Sequence, residues 1–412
     1  MLRIATNKVL VPRRIKCLIF SLALSAASGT TQAAKGPLTF ERLQAIKTTS
    51  AQIALANLDF SIARHQRLFE FNPSNDEALS AWMDALMTRV TFLGSYSDFH
   101  LIDDQTARGL SAQPDNPLRM LERARFLNRI HAFDQASELL QQVLLQVETR
   151  KWPEKTLSKL KADVELQIKS IDIARGAAVG ADLEEANNRS YELALLNGAF
   201  LAAIGRRELA TLAYYSALEH WDHVSPFAPA WIAFLVGEVW VGFDDDRARK
   251  HYKLALQFVP QFVKARVHLA ELMHAEGQSV QAVSLLNSVL ASEDPEPAWR
   301  HAEFGFSIGM DGVAPMERIE ARWQALLDQF PLAFADHAAE FYLAGDTSST
   351  SAIRWASLNF ENRPTDEALA LLLEAEAAGG LRLCRDDGRP STNARLMDAR
   401  RRLMDLGLLC NP

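Results

Sequence analysis

The sequence predicts an all-α fold, an α-solenoid of helix-turn-helix repeats wound into a curved superhelix. Two observations carry this. First, residue types recur at a fixed offset. Ala248, Tyr252, Ala255 and Pro260 are matched 34 residues further on by Ala282, Leu286 and Val289, with Pro295 slipped by one place. A third copy, Gly198, Gly205, Ala210, Tyr214 and Ala217, stands upstream. Small residues at these offsets let two helices cross closely, the large residue four places on fills the hole beside the crossing, and proline ends the second helix. The period is that of paired-helix repeats. Second, helical stretches of about fourteen residues alternate with short turns rich in Pro, Gly, Asn and Asp, and no period-two pattern survives along the chain.

The first element is a targeting segment. Arg3, Lys8, Arg13, Arg14 and Lys16 precede a short apolar run over residues 17–28, and Thr31-Gln32-Ala33 before Ala34 offers a small-x-small cleavage site. This order is that of a secretory signal peptide over residues 1–33. The run is shorter than the roughly 20 residues a stable bilayer-spanning helix needs. Its removal takes five basic residues and no acidic ones, so the formal charge falls from -7 to -12. The expectation is an exported protein of the bacterial periplasm or cell envelope, with no stable transmembrane span once the signal is cleaved. An acidic chain argues against a nucleic-acid partner, since phosphate binding needs clustered Lys and Arg. Two of the three cysteines, Cys384 and Cys410, remain after cleavage. In an oxidising compartment this pair favours a disulfide, closing a loop of about 25 residues worth roughly 3 kcal/mol; two separate buried thiols are the alternative.

Residues 34–116 read as degenerate helical repeats. One helix runs over 38–71 to a break at Asn72-Pro73-Ser74-Asn75. A second covers 77–92, ended near Gly94, and a third 97–110, closed by the segment 113–117. The array proper covers 117–380. Ala124 takes the small position of a first helix, and Ala136, Leu140 and Val143 the small, large and small positions of a second. Residues 146–190 are irregular, with a long helix opened by Trp152-Pro153 and a glycine-bounded corner at 176–180. The copies are clearest over 191–295. Helix pairs follow at 297–308 with 315–330, and at 335–343 with 349–360. A last first-helix spans 365–378, ended by Gly379-Gly380, and 381–412 reads as a cap with a final helix over 391–408.

The small-large-small spacing resembles that of tetratricopeptide-repeat proteins over residues 117–145 and 191–378, and more weakly over 40–115. The tryptophan and tyrosine of the family's first helix are displaced in most units; Trp231 and Trp240 lie near those places. The resemblance implies a scaffold that binds a partner protein or peptide, with tasks such as envelope assembly, secretion or polysaccharide export. It also implies that the first helix of each unit lines a concave wall. Phasing the units puts Arg125, Asn128 and Arg129 at one end of that wall, Leu195, Ala199, Phe234 and Trp240 in an apolar middle, and Lys264, His268, Glu271 and His274 at the other end. The apolar stripe admits two accounts, a groove for a peptide or amphipathic helix and a core buried by tight packing.

Catalytic signatures are missing from the sequence: it has no Walker-type phosphate loop, no Gly-x-Ser-x-Gly elbow, no His-Glu-x-x-His helix and no Cys-x-x-Cys pair. No cofactor is expected and the chain is not expected to be an enzyme. An alternative class is a metal-binding or enzymatic protein using His268, Glu271 and His274, placed at i, i+3 and i+6 of one helix. Another is a structural module that self-associates through the apolar stripe. Asp244-Asp245-Asp246 is read as a helix cap, and Arg400-Arg401-Arg402 as a solvated face.

Overall fold

The computed structural model describes residues 39–149, 151–177, 190–345, 349–380 and 394–405. The signal segment and both candidate disulfide cysteines lie outside these residues. Among the described residues there is no strand, and no helix is long and apolar enough to cross a membrane.

The helices, in chain order, are α1 (Phe40–Gln44), α2 (Ala51–Phe71), α3 (Asp76–Leu93), α4 (Ser97–Ala112), α5 (Pro117–Arg129), α6 (Phe133–Thr149) and α7 (Glu154–Ala174). Then follow α8 (Tyr191–Ala203), α9 (Arg207–Ala217), α10 (Phe227–Trp240), α11 (Asp245–Phe258), α12 (Val263–Ala275) and α13 (Ser279–Leu286). The last described are α14 (Pro295–Ser307), α15 (Met316–Leu327), α16 (Pro331–Ala344), α17 (Ser349–Asn362), α18 (Asp366–Ala378) and α19 (Ala394–Asp405). Many starts are written in the sequence as side-chain caps. Ser50, Asn75, Asn116, Ser190, Asp244, Asp294 and Thr365 each accept a hydrogen bond from a backbone N–H of the first turn, satisfying donors that the helix leaves open.

Several boundaries differ from expectation: the helix expected from 335 opens at Pro331, and two further cases show why. The helix expected over 38–71 is broken at 45–50, because Ser50 caps α2 and Thr49 donates its N–H to the Val224 carbonyl at 2.7 Å. That bond draws the segment away from the α2 axis. Pro295, read as the end of a helix, instead opens α14 at its first turn with Asp294 as the cap; a proline is tolerated there because its missing N–H has no intrahelical partner.

Consecutive helices pack in antiparallel pairs, α8 with α9, α10 with α11, α12 with α13, α16 with α17, and each pair stacks on the next. The small-to-large fit expected from the repeat is present. A Cβ at Gly198 would stand 2.5 Å from the Tyr214 ring, and Gly237 lies directly against the ring of Tyr252. Only glycine allows α8 and α10 this approach to their partners. The stack then curves so that the α3–α4 corner meets the start of α14 and α16, and the α5–α6 turn meets α16 and α17. One buried core runs without interruption from Leu43 through Phe92, Trp231 and Trp323 to Ala375, with a second cluster between α5, α6 and α7.

Candidate functional site

The inner wall is built from α8, α10, α12, α14 and α16, and α10 shows most clearly what covers it. Its sequence, FAPAWIAFLVGEVW, is apolar on every side, and all of it except Trp240 is buried. A helix that is hydrophobic all round must have neighbours all round. On one side these come from α11. On the other they come from the far end of the chain: Phe92 of α3 stands 4.8 Å from Phe227 and 4.6 Å from Phe262, ring centre to ring centre. Tyr96 meets Phe334 edge-on at 4.9 Å, and Phe99 meets Phe330 at 5.7 Å. The corner between α3 and α4 therefore fills the concave side of the array.

Polar contacts fix that corner. Gly94 ends α3 in the left-handed region at φ 64°, and a Cβ there would come within 2.8 Å of Asp294 Cβ. Tyr96 Oη donates to Asp294 Oδ2 at 3.2 Å. The N–H and hydroxyl of Ser97 donate to the two carboxylate oxygens of Glu293 at 2.5 and 2.9 Å. Tyr96, at the start of α4, supplies no side-chain cap of its own. A carboxylate from nearly two hundred residues away serves instead, at the end of the helix that favours negative charge. On the next turn of the solenoid, His131 lies between α5 and α6 with φ 60°, the one non-glycine residue of positive φ among those described. Its ring Nδ1 is 3.1 Å from the Leu332 carbonyl, and its own carbonyl accepts from Asn362 Nδ2 at 3.0 Å. Burial, reinforced by the nearby Arg363 guanidinium, pulls the His131 pKa down to about 3.

The residues expected on the wall are placed as follows. Arg125 donates to Asp84 at 2.8 Å and to Glu122 at 2.9 Å; burial opposes its charge, but the carboxylates around it raise its pKa. Asn128 donates to Gln167 at 2.8 Å, and Arg129 to Thr91 at 2.8 Å, with burial lowering the Arg129 pKa to about 9. Leu195 and Ala199 are core. Phe234 is wholly buried among Trp231, Tyr252 and Phe262. The account of the stripe as core describes it. Trp240 is half-buried, its Nε1 donating to Thr211 at 2.9 Å while the Arg247 guanidinium lies 3.8 Å from its ring. Lys264 is buried.

His268, Glu271 and His274 do not converge. At 3.6 residues per turn, i+6 lies about 240° round the helix from i, so the two histidines do not share a face. His268 Nδ1 is 3.4 Å from Glu238 Oε1 and 3.7 Å from Glu271 Oε2. Glu271 Oε1 forms an ion pair with the Arg300 guanidinium, 2.7 Å from its Nε, and Glu238 accepts from the Tyr252 hydroxyl at 2.5 Å. His274 turns the other way, bonded to Ser279 at 2.8 Å and stacked on Phe304 at 4.1 Å, with burial lowering its pKa. Among the described residues no cluster of His, Cys, Asp and Glu could hold a metal ion. What forms instead is a polar ladder, Tyr252–Glu238–His268–Glu271–Arg300–Glu303, that staples α11, α10, α12 and α14 together.

A different surface is bare. In each pair the turn from first to second helix falls on one edge of the array. Along that edge four successive turns expose apolar side chains: Ile204 and Leu209 at α8–α9, Phe243 at α10–α11, Val280 at α12–α13, and Phe306, Ile308 and Met310 at α14–α15. Phe243 is covered on one face by the Arg207 guanidinium, 3.1 Å from its ring centre. Asp244, Asp246, Glu276 and Asp311 lie exposed beside them. The last turn is lengthened and carries Gly309 and Gly312, both in the left-handed region. Neither this edge nor the α3–α4 plug was found from the repeat phase. Residues at pair turns sit outside the repeat's small and large positions.

Residues 245–303 match the family model described as tetratricopeptide repeat. A comparison with curated proteins finds no match. Solved structures to which the chain is similar include a human IFIT1 dimer with PPP-AAAA, at 14% identity over 86% of this chain and 78% of that one, TM-score 0.43. Yeast Tom70 is similar at 13% identity over 86% and 82%, TM-score 0.28. The APC/C hetero-tetramer Cut9-Hcn1 is similar at 12% over 85% and 84%, TM-score 0.31.

Proposed function

Because the chain is an all-α array that carries tetratricopeptide repeats, we propose that it is an interaction scaffold that holds a partner protein or peptide along the edge formed by its pair turns. One observation supports the choice of surface. The concave wall is already covered by the α3–α4 corner, whereas Val280, Phe306 and Ile308 stand in solvent on a rigid row of turns. Rows of this kind suit a partner whose apolar side chains repeat along an extended or helical segment, and insertions in repeat proteins tend to fall on the binding face. The mechanism is positional: the stapled interior holds the curvature, and a few apolar anchors supply most of the affinity.

The basic, apolar and small residues at the N-terminus support export to the periplasm or cell envelope as the place of action. Cell fractionation with N-terminal sequencing checks this; a mature protein beginning at Ala34 is expected, and an intact Met1 in the cytoplasmic fraction would remove it. The function itself is tested by capture from an envelope extract with the wild-type protein and with a Val280→Asp, Phe306→Asp variant. Both substituted side chains are exposed, so the circular-dichroism spectrum stays unchanged while a captured partner is lost. Equal recovery of every partner by both proteins would sink the proposal.

A further inference from the structure

The α2 helix opens the stack and packs on α3. It buries Ala54, Leu58 and Ile62, and leaves Ile53, Phe60 and Phe71 exposed at 54%, 63% and 91%. At 3.6 residues per turn these three lie within about 20° of one line, about 150° round from the middle of the buried set. Arg64 and Arg67 come within about 40° of that line, between the two phenylalanines, and both are exposed. The order along the face is Ile53, Phe60, Arg64, Arg67, Phe71, five side chains inside an arc of about 60° over a length of about 27 Å. The acidic residues of α2 turn elsewhere. Asp59 reaches Arg89 of α3 at 3.5 Å, and Glu70 accepts from Gln66 Nε2 at 2.9 Å, both about 100° or more round from the line. Neither Arg64 nor Arg67 meets a carboxylate among the described residues. On a chain of formal charge -7 this is a face of the opposite sign.

We infer that α2 is a peripheral membrane contact, lying along an anionic lipid bilayer with Ile53, Phe60 and Phe71 in its interfacial layer and Arg64 and Arg67 on lipid phosphates. Charge complementarity selects an anionic partner, since the two guanidinium groups are the unpaired charges of the face. Shape selects a bilayer. A protein partner draws its affinity from anchors set in pockets and ringed by a rim that excludes water. Phe60 and Phe71 instead project from a convex helix surface with most of each ring in solvent. A fluid bilayer closes round projecting side chains without needing a pocket. The rings and the isoleucine enter the layer between headgroups and acyl chains, and the long arginine stems keep the charged heads at the level of the phosphates. The stack behind α2 holds the helix in the plane of the surface. No helix of the described residues is long and apolar enough to cross the bilayer, so the contact is one-sided and reversible.

Vesicle flotation tests this with the protein from Ala34 onward, the form the cleavage site predicts, so that the apolar run of the leader takes no part. Vesicles of phosphatidylglycerol and phosphatidylethanolamine are raised to about 1 mM lipid, about ten times the concentration at which a single myristoyl chain holds a protein. Binding is expected, and it weakens as salt is added. At about fivefold for each arginine, it is about thirtyfold weaker on phosphatidylcholine, and Arg64→Gln and Arg67→Gln each weaken it about fivefold. Phe60→Ser and Phe71→Ser each weaken it about tenfold or more, whereas Gln52→Ser, exposed but about 100° round the helix, leaves it unchanged. All of these side chains are exposed, so the circular-dichroism spectrum is unaltered. The Val280→Asp, Phe306→Asp variant floats as the unsubstituted protein does, which separates this contact from the row of pair turns. No flotation at about 1 mM lipid would overturn the inference. So would equal binding to neutral vesicles, binding indifferent to Phe60→Ser and Phe71→Ser, or binding to polyglutamate through the same two rings while vesicles stay unbound.

Discussion

His131 couples the closure of the solenoid to pH, and the sign follows from its surroundings. Its ring is buried against Phe133, its Nδ1 meets the Leu332 carbonyl, and Arg363 stands near, so a second ring proton would bring an unpaired charge beside a like one. Its pKa falls to about 3 in the fold, against about 6.5 in the unfolded chain. Below pH 6.5 the unfolded chain takes up a proton that the native state refuses. The stability this group contributes is therefore complete above pH 6.5 and is lost as the pH drops toward 3. From pH 6.5 to 4 the loss is about 3 kcal/mol, at about 1.4 kcal/mol per pH unit. His131→Asn is the informative variant, since asparagine accepts the left-handed φ of 60° and does not ionise. It loses ring packing at every pH, but it is spared the acid penalty. The difference in Tm between wild type and variant should therefore shrink by about 5 °C between pH 7.5 and pH 4, measured by thermal scans across that range. His251, whose pKa burial lowers to about 4, titrates in both proteins and cancels from the difference. Parallel Tm curves, or a gap that widens in acid, would refute the reasoning.

Gly237→Ala drives a methyl group into the Tyr252 ring and should cost about 1–3 kcal/mol in urea denaturation. Phe234→Ala empties a fully buried site between three rings and should cost about 3–5 kcal/mol; a loss below 1 kcal/mol would mean that the ring faces solvent. Tyr96→Phe removes the bond to Asp294 and should cost about 1 kcal/mol, with faster amide exchange at the start of α4 as the local sign that the α3–α4 corner has loosened.

How much of this was legible in the sequence divides along a physical line. Contacts inside one repeat are local, so their residue types recur at a fixed spacing; Gly198 and Tyr214 both belong to the repeat read from the sequence, whereas the like contact of Gly237 with Tyr252 was not read there. Caps such as Asp244 and Asn116 are local in the same sense. Contacts that close the solenoid join residues far apart in the chain. Glu293 and Ser97 carry no periodic mark, since a carboxylate and a hydroxyl at a turn are as common in solvent as in a bond. The wall positions show the consequence. Repeat phase put Arg125, Phe234 and His268 on first helices, but phase alone could not say what covered them, and an inward-facing apolar residue reads the same in a groove as in a core. A signal was nevertheless present in α10, where Phe227–Trp240 is apolar on all sides and could not have faced an open groove on one of them.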